Sequence, residues 1–244
     1  MKIVTTKKSR PSNIAIGLFG FSGTGKSSIA KTLPRKSDKD VLIIDIENGL
    51  EVLRDCEFDS IRFSDVEGSD SIEKMNAVIT YLMENPNKYE WIVMDSFTHY
   101  ADKMKMEFEK DPARYGLITQ SGHFDGLAMY GKLRQKYNAT IMAFLSLTGN
   151  KLALFGAEEF KNGPDTTIQV LIDGSFKKRV MFQFDEFWGL RVSRVGDEVK
   201  RELVVNSDGT YIAKSRMDGG SGGKLDTYEP VDVAAIMEKC YGKS

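Results

Sequence analysis

The chain has 244 residues, 34 Lys plus Arg against 35 Asp plus Glu, a net charge of −1 and 41% hydrophobic residues. That length suits one large α/β domain with a full core, and the balanced charge excludes a globally basic nucleic-acid binder, so any such surface must be local. Two cysteines without paired spacing, two histidines and no apolar run of bilayer length exclude a disulfide framework, a His/Cys zinc cluster and a membrane span, and predict a soluble cytoplasmic protein.

Residues 1–13 carry Lys7, Lys8, Arg10 and Pro11 and read as a basic arm outside the core. Residues 14–19 form an apolar run of strand length. It leads into Gly20, Phe21, Ser22, Gly23, Thr24, Gly25, Lys26 and Ser27, the G-x-x-x-x-G-K-S pattern of a phosphate-binding loop. Residues 28–33 then predict a helix that Pro34 ends. Strand, loop and helix are the context this chemistry needs. Glycines let successive N–H groups from Gly20 to Ser28 turn toward phosphate oxygens, and the helix adds the positive end of its dipole. Lys26 is placed to reach the β and γ phosphates of ATP, and the Ser27 hydroxyl to hold Mg²⁺.

Residues 41–44 are a continuous apolar run of the kind buried in a parallel sheet, and Asp45 and Glu47 follow on alternate positions. Carboxylates at the carboxyl end of a core strand lie where α/β sheets bind ligands. A short strand is expected at 60–63. Ile72, Met75, Val78, Ile79, Leu82 and Met83 give helical spacing over 70–84, with Asp70 and Glu73 as a capping box and Asn85-Pro86 as the stop. Residues 91–94 are apolar and are followed by Asp95, the pattern of a Walker B strand whose carboxylate orients Mg²⁺.

Beyond this, 97–118 reads as amphipathic, a further helix is expected around 124–133, and a strand at 141–147. Ser146, Thr148 and Asn150 at the end of that strand read as turn residues, and likeness to related ATPases, which keep a γ-phosphate sensor at such a strand end, implies that one of them serves as the sensor. Residues 151–167 read as loop. Strand-like segments follow at 167–172, 180–184, 187–195, 202–205 and 210–213, with Ser207-Asp208-Gly209 as a hairpin turn. Residues 218–223 read as flexible, and a short helix at 231–240 closes the chain. The expected organisation is an arm at 1–13, one α/β domain at 14–217 with a mainly parallel twisted sheet and a C-terminal antiparallel extension, and a turn with a helix at 218–244.

The order of these parts resembles the RecA superfamily of P-loop ATPases, and most the compact phage proteins that anneal single strands. Four motifs carry the likeness: the phosphate loop ending in Lys26-Ser27, the strand running into Asp45 and Glu47, Asp95, and Ile212-Ala213-Lys214-Ser215-Arg216. The resemblance implies that Glu47 is the base that polarises the attacking water. It implies that Lys214 and Arg216 form a K-x-R element presented to a neighbour's nucleotide, so that the chain assembles with itself into a ring or filament with ATP between subunits. It further implies single-stranded DNA as a ligand, in phage recombination or replication in an infected host cell, with single-strand-binding or replication proteins as further partners.

From the residues themselves, 156–179 reads either as a solvated loop closing over the core or as the DNA-contacting stretch, where Lys161, Lys177, Lys178 and Arg179 could neutralise phosphates and the neighbouring Phe155, Phe160 and Phe176 could stack bases. Two other uses of the phosphate loop stay open at this stage: a small-molecule kinase acting as a monomer, and an adaptor whose ATP controls assembly without DNA. A GTPase is disfavoured because no Asn-Lys-x-Asp stretch is present.

Overall fold

The computed structural model describes residues 13–172, 176–218 and 223–242. The basic arm, apart from Asn13, and the glycine-rich stretch 219–222 lie outside the described residues. The strands are β1 (Ala15–Gly20), β2 (Val41–Asp45), β3 (Asp59–Arg62), β4 (Trp91–Asp95), β5 (Asn150–Asn162), β6 (Asp165–Val170), β7 (Glu186–Val195), β8 (Glu198–Val204) and β9 (Tyr228–Glu229). They form one sheet in the order β3-β2-β4-β5-β1-β7-β8-β9, with β6 paired to the far half of β5. The pairs from β3 to β7 are parallel, and β5–β6, β7–β8 and β8–β9 are antiparallel. The fold is therefore α/β with a mainly parallel sheet and antiparallel additions, as the sequence predicts.

Alternation along the strands sorts side chains between two cores. Leu42, Ile44, Ile92, Met94, Ala153 and Phe155 face one side, covered by α1 (Ser71–Glu84), α2 (Phe97–Lys110) and α3 (Gly126–Ser146). Val41, Ile43, Trp91, Val93, Leu152 and Leu154 face the other, covered by a 3-10 helix at Ser27–Thr32 and by α5 (Val233–Tyr241). A period of two buried on both faces explains why these strands read as unbroken apolar runs. It also pins register, because a one-residue slip would exchange the two faces. Val233 N–H donates to Thr32 Oγ1 at 3.0 Å, so α5 and the 3-10 helix share one layer.

Several elements differ from expectation for identifiable reasons. The helix after the phosphate loop is a single 3-10 segment, and Leu33 is already extended (φ −65°, ψ 132°), as the residue before a proline prefers. The stretch 141–147 is the end of α3, not a strand. Met129, Leu133, Tyr137, Ile141 and Phe144 continue one buried helical stripe, and a short apolar run carries no periodicity of its own to reveal that.

Consequently β5 begins only at Asn150, and the stretch 151–167 read as loop is mostly strand. Its first half is buried between β1 and β4, while its second half, Ala157–Asn162, pairs only with β6. Residues 180–184 form a helical turn, with α4 at Lys177–Val180 and a 3-10 turn at Met181–Gln183, rather than a strand. Residues 210–213 contribute only the Ile168–Tyr211 bridge. The Asp208 turn is present, with Asp208 Oδ1 accepting from Thr210 and Tyr211 N–H.

Candidate nucleotide and cation site

The carboxyl ends of β1, β2 and β4 meet at one edge of the sheet. The chain leaves β1 toward the face covered by the 3-10 helix and leaves β4 toward the face covered by α2, so connections diverge there as they do at ligand sites of open α/β sheets. Gly23 (φ 75°) and Gly25 (φ 100°) adopt left-handed backbone in the loop after β1, which side-chain-bearing residues resist. The loop closes on itself: Thr24 Oγ1 and Lys26 Nζ both donate to the Phe21 carbonyl, at 2.8 Å and 2.9 Å.

Asp45 and Asp95 are register partners on adjacent strands. Both share parity with the side chains that face the 3-10 helix, so both carboxylates lie on its side, where the Ser27 hydroxyl hydrogen-bonds Asp95. Asp45 is 1% and Asp95 4% exposed. Asp45 Oδ1 accepts from Gly49 N–H at 3.1 Å, yet Asp45 Oδ2 and Asp95 Oδ1 are buried without any hydrogen-bond partner. Orphaned carboxylate oxygens are costly unless something positive binds them.

Two carboxylates and a hydroxyl are the hard oxygen donors that Mg²⁺ takes when phosphates and water complete its shell. The residues present therefore fit such an ion. Among the described residues no group of three or more His, Cys, Asp or Glu is placed to hold a metal ion.

Electrostatics tie these groups together. Burial lowers the Lys26 pKa, opposed by the Glu47 and Asp95 charges. Burial also pushes Asp95 up to about 6, reinforced by the Glu47 and Asp45 charges and opposed by Ser27 and Lys26. The structure thus gathers Lys26, Ser27, Glu47 and Asp95, and adds Asp45 as a buried neighbour of the same site. Ser28 lies one residue further along the 3-10 helix.

Sequence reasoning missed two further groups. His99 Nδ1 lies 2.6 Å from Glu47 Oε1. Arg201 of β8 donates Nε–H to the Thr24 carbonyl at 3.2 Å, because the β7–β8 hairpin continues past the end of β1. Arg201 is 177 positions from Thr24, and no local pattern announces the contact.

Other expected residues lie elsewhere. Asp185 Oδ2 accepts from Ala15 N–H at 2.9 Å, at the opposite end of β1 from Gly20. Arg216 pairs with that Asp185 at 3.4 Å, and Lys214 Nζ donates to the Phe184 carbonyl at 2.8 Å. Six strand residues at roughly 3.3 Å each separate the two edges, so Lys214 and Arg216 are not brought to the phosphate loop of their own chain. Thr148 and Asn150, two of the sensor candidates, also sit at this amino edge. Thr148 Oγ1 accepts from Asn87 N–H and Asn150 Oδ1 from Ile14 N–H. Ser146, the third, bonds only within its own helix, donating to the Ala143 carbonyl; Ser146 ends α3, Thr148 lies in the turn after it, and Asn150 begins β5.

The expected base-stacking set is smaller than predicted, since Phe155 and Phe176 are buried and only Phe160 is exposed. A separate cavity of about 690 Å³, lined by Thr98, Tyr130, Tyr137, Leu171 and Phe176 among others, lies between α2 and α3, away from the loop. No helix among the described residues is long and apolar enough to cross a membrane.

The profile of the AAA domain family matches residues 12–217. No curated protein matches the sequence. Among solved structures, the chain is similar to a KaiC-like protein of the hyperthermophilic archaeon Pyrococcus horikoshii OT3, at 12% identity and a TM-score of 0.47, covering 81% of this chain and 80% of that one.

Proposed function

The chain belongs to the AAA domain family of nucleotide-hydrolysing P-loop proteins, and from that premise we propose that it is a RecA-type ATPase that assembles with itself and handles single-stranded DNA. The observation that carries the hydrolytic part is the pair of orphaned oxygens on Asp45 and Asp95 beside Ser27 and Lys26. Lys26 binds the β and γ phosphates, and Glu47 takes the proton of the attacking water. Ser27 and Asp95, with Asp45 beside them, would hold a Mg²⁺, which when bound would neutralise charge on the phosphates.

Self-assembly is supported by where the K-x-R pair stands. Phosphoryl transfer gains from cations on the leaving phosphate, and the K-x-R pair stands at the far edge of the sheet, where only a neighbouring copy's nucleotide could meet it. The DNA reading rests on the resemblance and on the exposed Phe160, over whose ring Lys177 Nζ lies at 5.4 Å, at the β5–β6 hairpin that overhangs the nucleotide edge. A phage role in recombination or replication follows from the same resemblance.

The test is ATP hydrolysis with and without single-stranded DNA at low and moderate salt, together with mass in solution with ATP, using Lys26→Ala as control. Assembly with ATP and a DNA stimulation that salt abolishes support the proposal. A monomer in ATP that transfers phosphate to a small molecule, or assembly indifferent to DNA, replaces it with the kinase or the adaptor.

A further inference from the structure

Glu47 is held. Its Oε1 lies 2.6 Å from His99 Nδ1, and the same ring nitrogen lies 3.0 Å from Ser96 Oγ. His99 stands in the first turn of α2, whose N-cap is Ser96, the residue after Asp95. The turn therefore connects Asp95 to the proposed base through the four consecutive residues Ser96 to His99 and one side-chain contact.

The next-door residue fixes that turn from the other side. Thr98 is buried, its hydroxyl accepts from Gly156 N–H at 2.8 Å and donates to the Leu171 carbonyl at 3.4 Å, and Leu171 N–H donates to the Gly156 carbonyl at 2.9 Å. Gly156 is the register partner of Gly20. His99 is thus referenced to the start of the phosphate loop through the sheet, although its own ring is half exposed.

An ionised carboxylate only accepts, so the proton between the two groups belongs to Nδ1. That bond occupies Oε1 and leaves Oε2 to accept from water. Glu47 follows the end of β2 beside Asn48 (φ 60°) and has no regular element of its own to hold its rotamer.

We propose that His99 is the positioning residue of the general base: its Nδ1–H holds Glu47 Oε1 so that Oε2 faces the water that attacks the γ-phosphate. The inference rests on Glu47 being the base. It makes His99 a group that touches neither nucleotide nor metal and acts only through Glu47.

The experiment measures kcat and KM for Mg-ATP in wild type, Glu47→Gln, His99→Ala, His99→Asn and the double variant Glu47→Gln/His99→Ala, with the thermal unfolding midpoint of each as a folding check. His99→Ala is expected to lower kcat by about 10- to 100-fold, the scale of losing an orienting partner behind a reacting group, with KM within about twofold because the phosphate loop is untouched. His99→Asn, whose amide N–H falls where Nδ1–H stands, restores most of it. In the Glu47→Gln background, His99→Ala costs nothing further, since the two act as one unit.

A wild-type kcat for His99→Ala beside an inactive Glu47→Gln overturns this inference alone. So does an equal loss in both backgrounds, or no rescue by asparagine. A fully active Glu47→Gln overturns the assignment of the base and this inference with it.

Discussion

The two edges of the central sheet hold similar numbers of charges and treat them oppositely. At the amino edge Glu186 is fully buried, and burial raises its pKa, yet its carboxylate accepts from Arg216 N–H at 2.8 Å, Met217 N–H at 2.7 Å and Trp188 Nε1–H at 3.0 Å, with Ser215 adding a fourth bond. At the carboxyl edge Asp45 and Asp95 are nearly as buried, and each keeps one oxygen with no partner. A buried carboxylate with all its donors is structure, because its desolvation is offset within the fold. One left with a free lone pair keeps its desolvation cost, and such uncompensated groups gather at functional sites.

Glu186 locks the backbone of 215–217 at the amino edge, where Lys214 and Arg216 bond Phe184 and Asp185 of their own chain; under the proposed assembly this rigid mount would offer the K-x-R pair to a neighbouring copy. The largest expected effect tests whether the two edges meet between copies. Arg216→Ala should lower ATP turnover by roughly 10³-fold or more, with ATP affinity little changed, and mixing it with Lys26→Ala should restore part of the turnover, because mixed interfaces contain one intact site. Turnover by Arg216→Ala at the wild-type rate would separate the edges for good.

Next in size is the amino edge itself. Glu186→Ala strands four donors at a buried position and should cost roughly 3–5 kcal/mol in urea unfolding. Loss of less than about 1 kcal/mol would show that the mount is solvated and not buried structure.

The same substitution logic runs the other way at the carboxyl edge. Asp95 has a folded pKa of about 6 against the ordinary 3.8, so the native state holds its proton more tightly than the unfolded one. The stability that this proton contributes is complete below the unfolded pKa and is lost as pH rises through about 6. Asp95→Asn in EDTA should therefore match wild type near pH 4 and exceed it by about 1–3 kcal/mol at pH 8, while Mg-dependent hydrolysis disappears. Equal stability at pH 8 would mean that the carboxylate is already compensated.

The smallest effect concerns the hairpin. Phe160 is 49% exposed, so Phe160→Ala should change stability by less than about 0.5 kcal/mol. If the hairpin meets single strands, the same change should weaken DNA binding by about 1–3 kcal/mol, the value of one stacked base. Unaltered DNA affinity would move the binding surface elsewhere.

Much of the nucleotide edge was legible because its signals are local. Gly20 to Ser27 is contiguous, and the terminal acids of two apolar runs, Asp45 and Asp95, mark strand ends without reference to anything distant. The parity of 41, 43 and 45 and of 91, 93 and 95 even orients both carboxylates to one face, a step available from the sequence once both are strands. The misread segments were those whose character depends on neighbours. Ile141 and Phe144 belong to a helix because α3 packs them beneath the sheet, and Phe155 is core rather than stacking platform because Phe97 stacks on it at 5.4 Å between centroids. Val180 to Phe184 has the composition of a strand but turns under the start of β7.

The chain by itself determined that a phosphate loop opens an α/β sheet and that acids end two later apolar runs, since glycine conformations, apolar periodicity and terminal charges act within a few residues. Tertiary structure alone decided that Asp45 joins Asp95, that His99 holds Glu47, that Arg201 braces the loop, and that Lys214 and Arg216 stand at the opposite edge. Those pairings are set by strand order and register, and two residues that share a sheet position carry no mark of each other in the sequence between them.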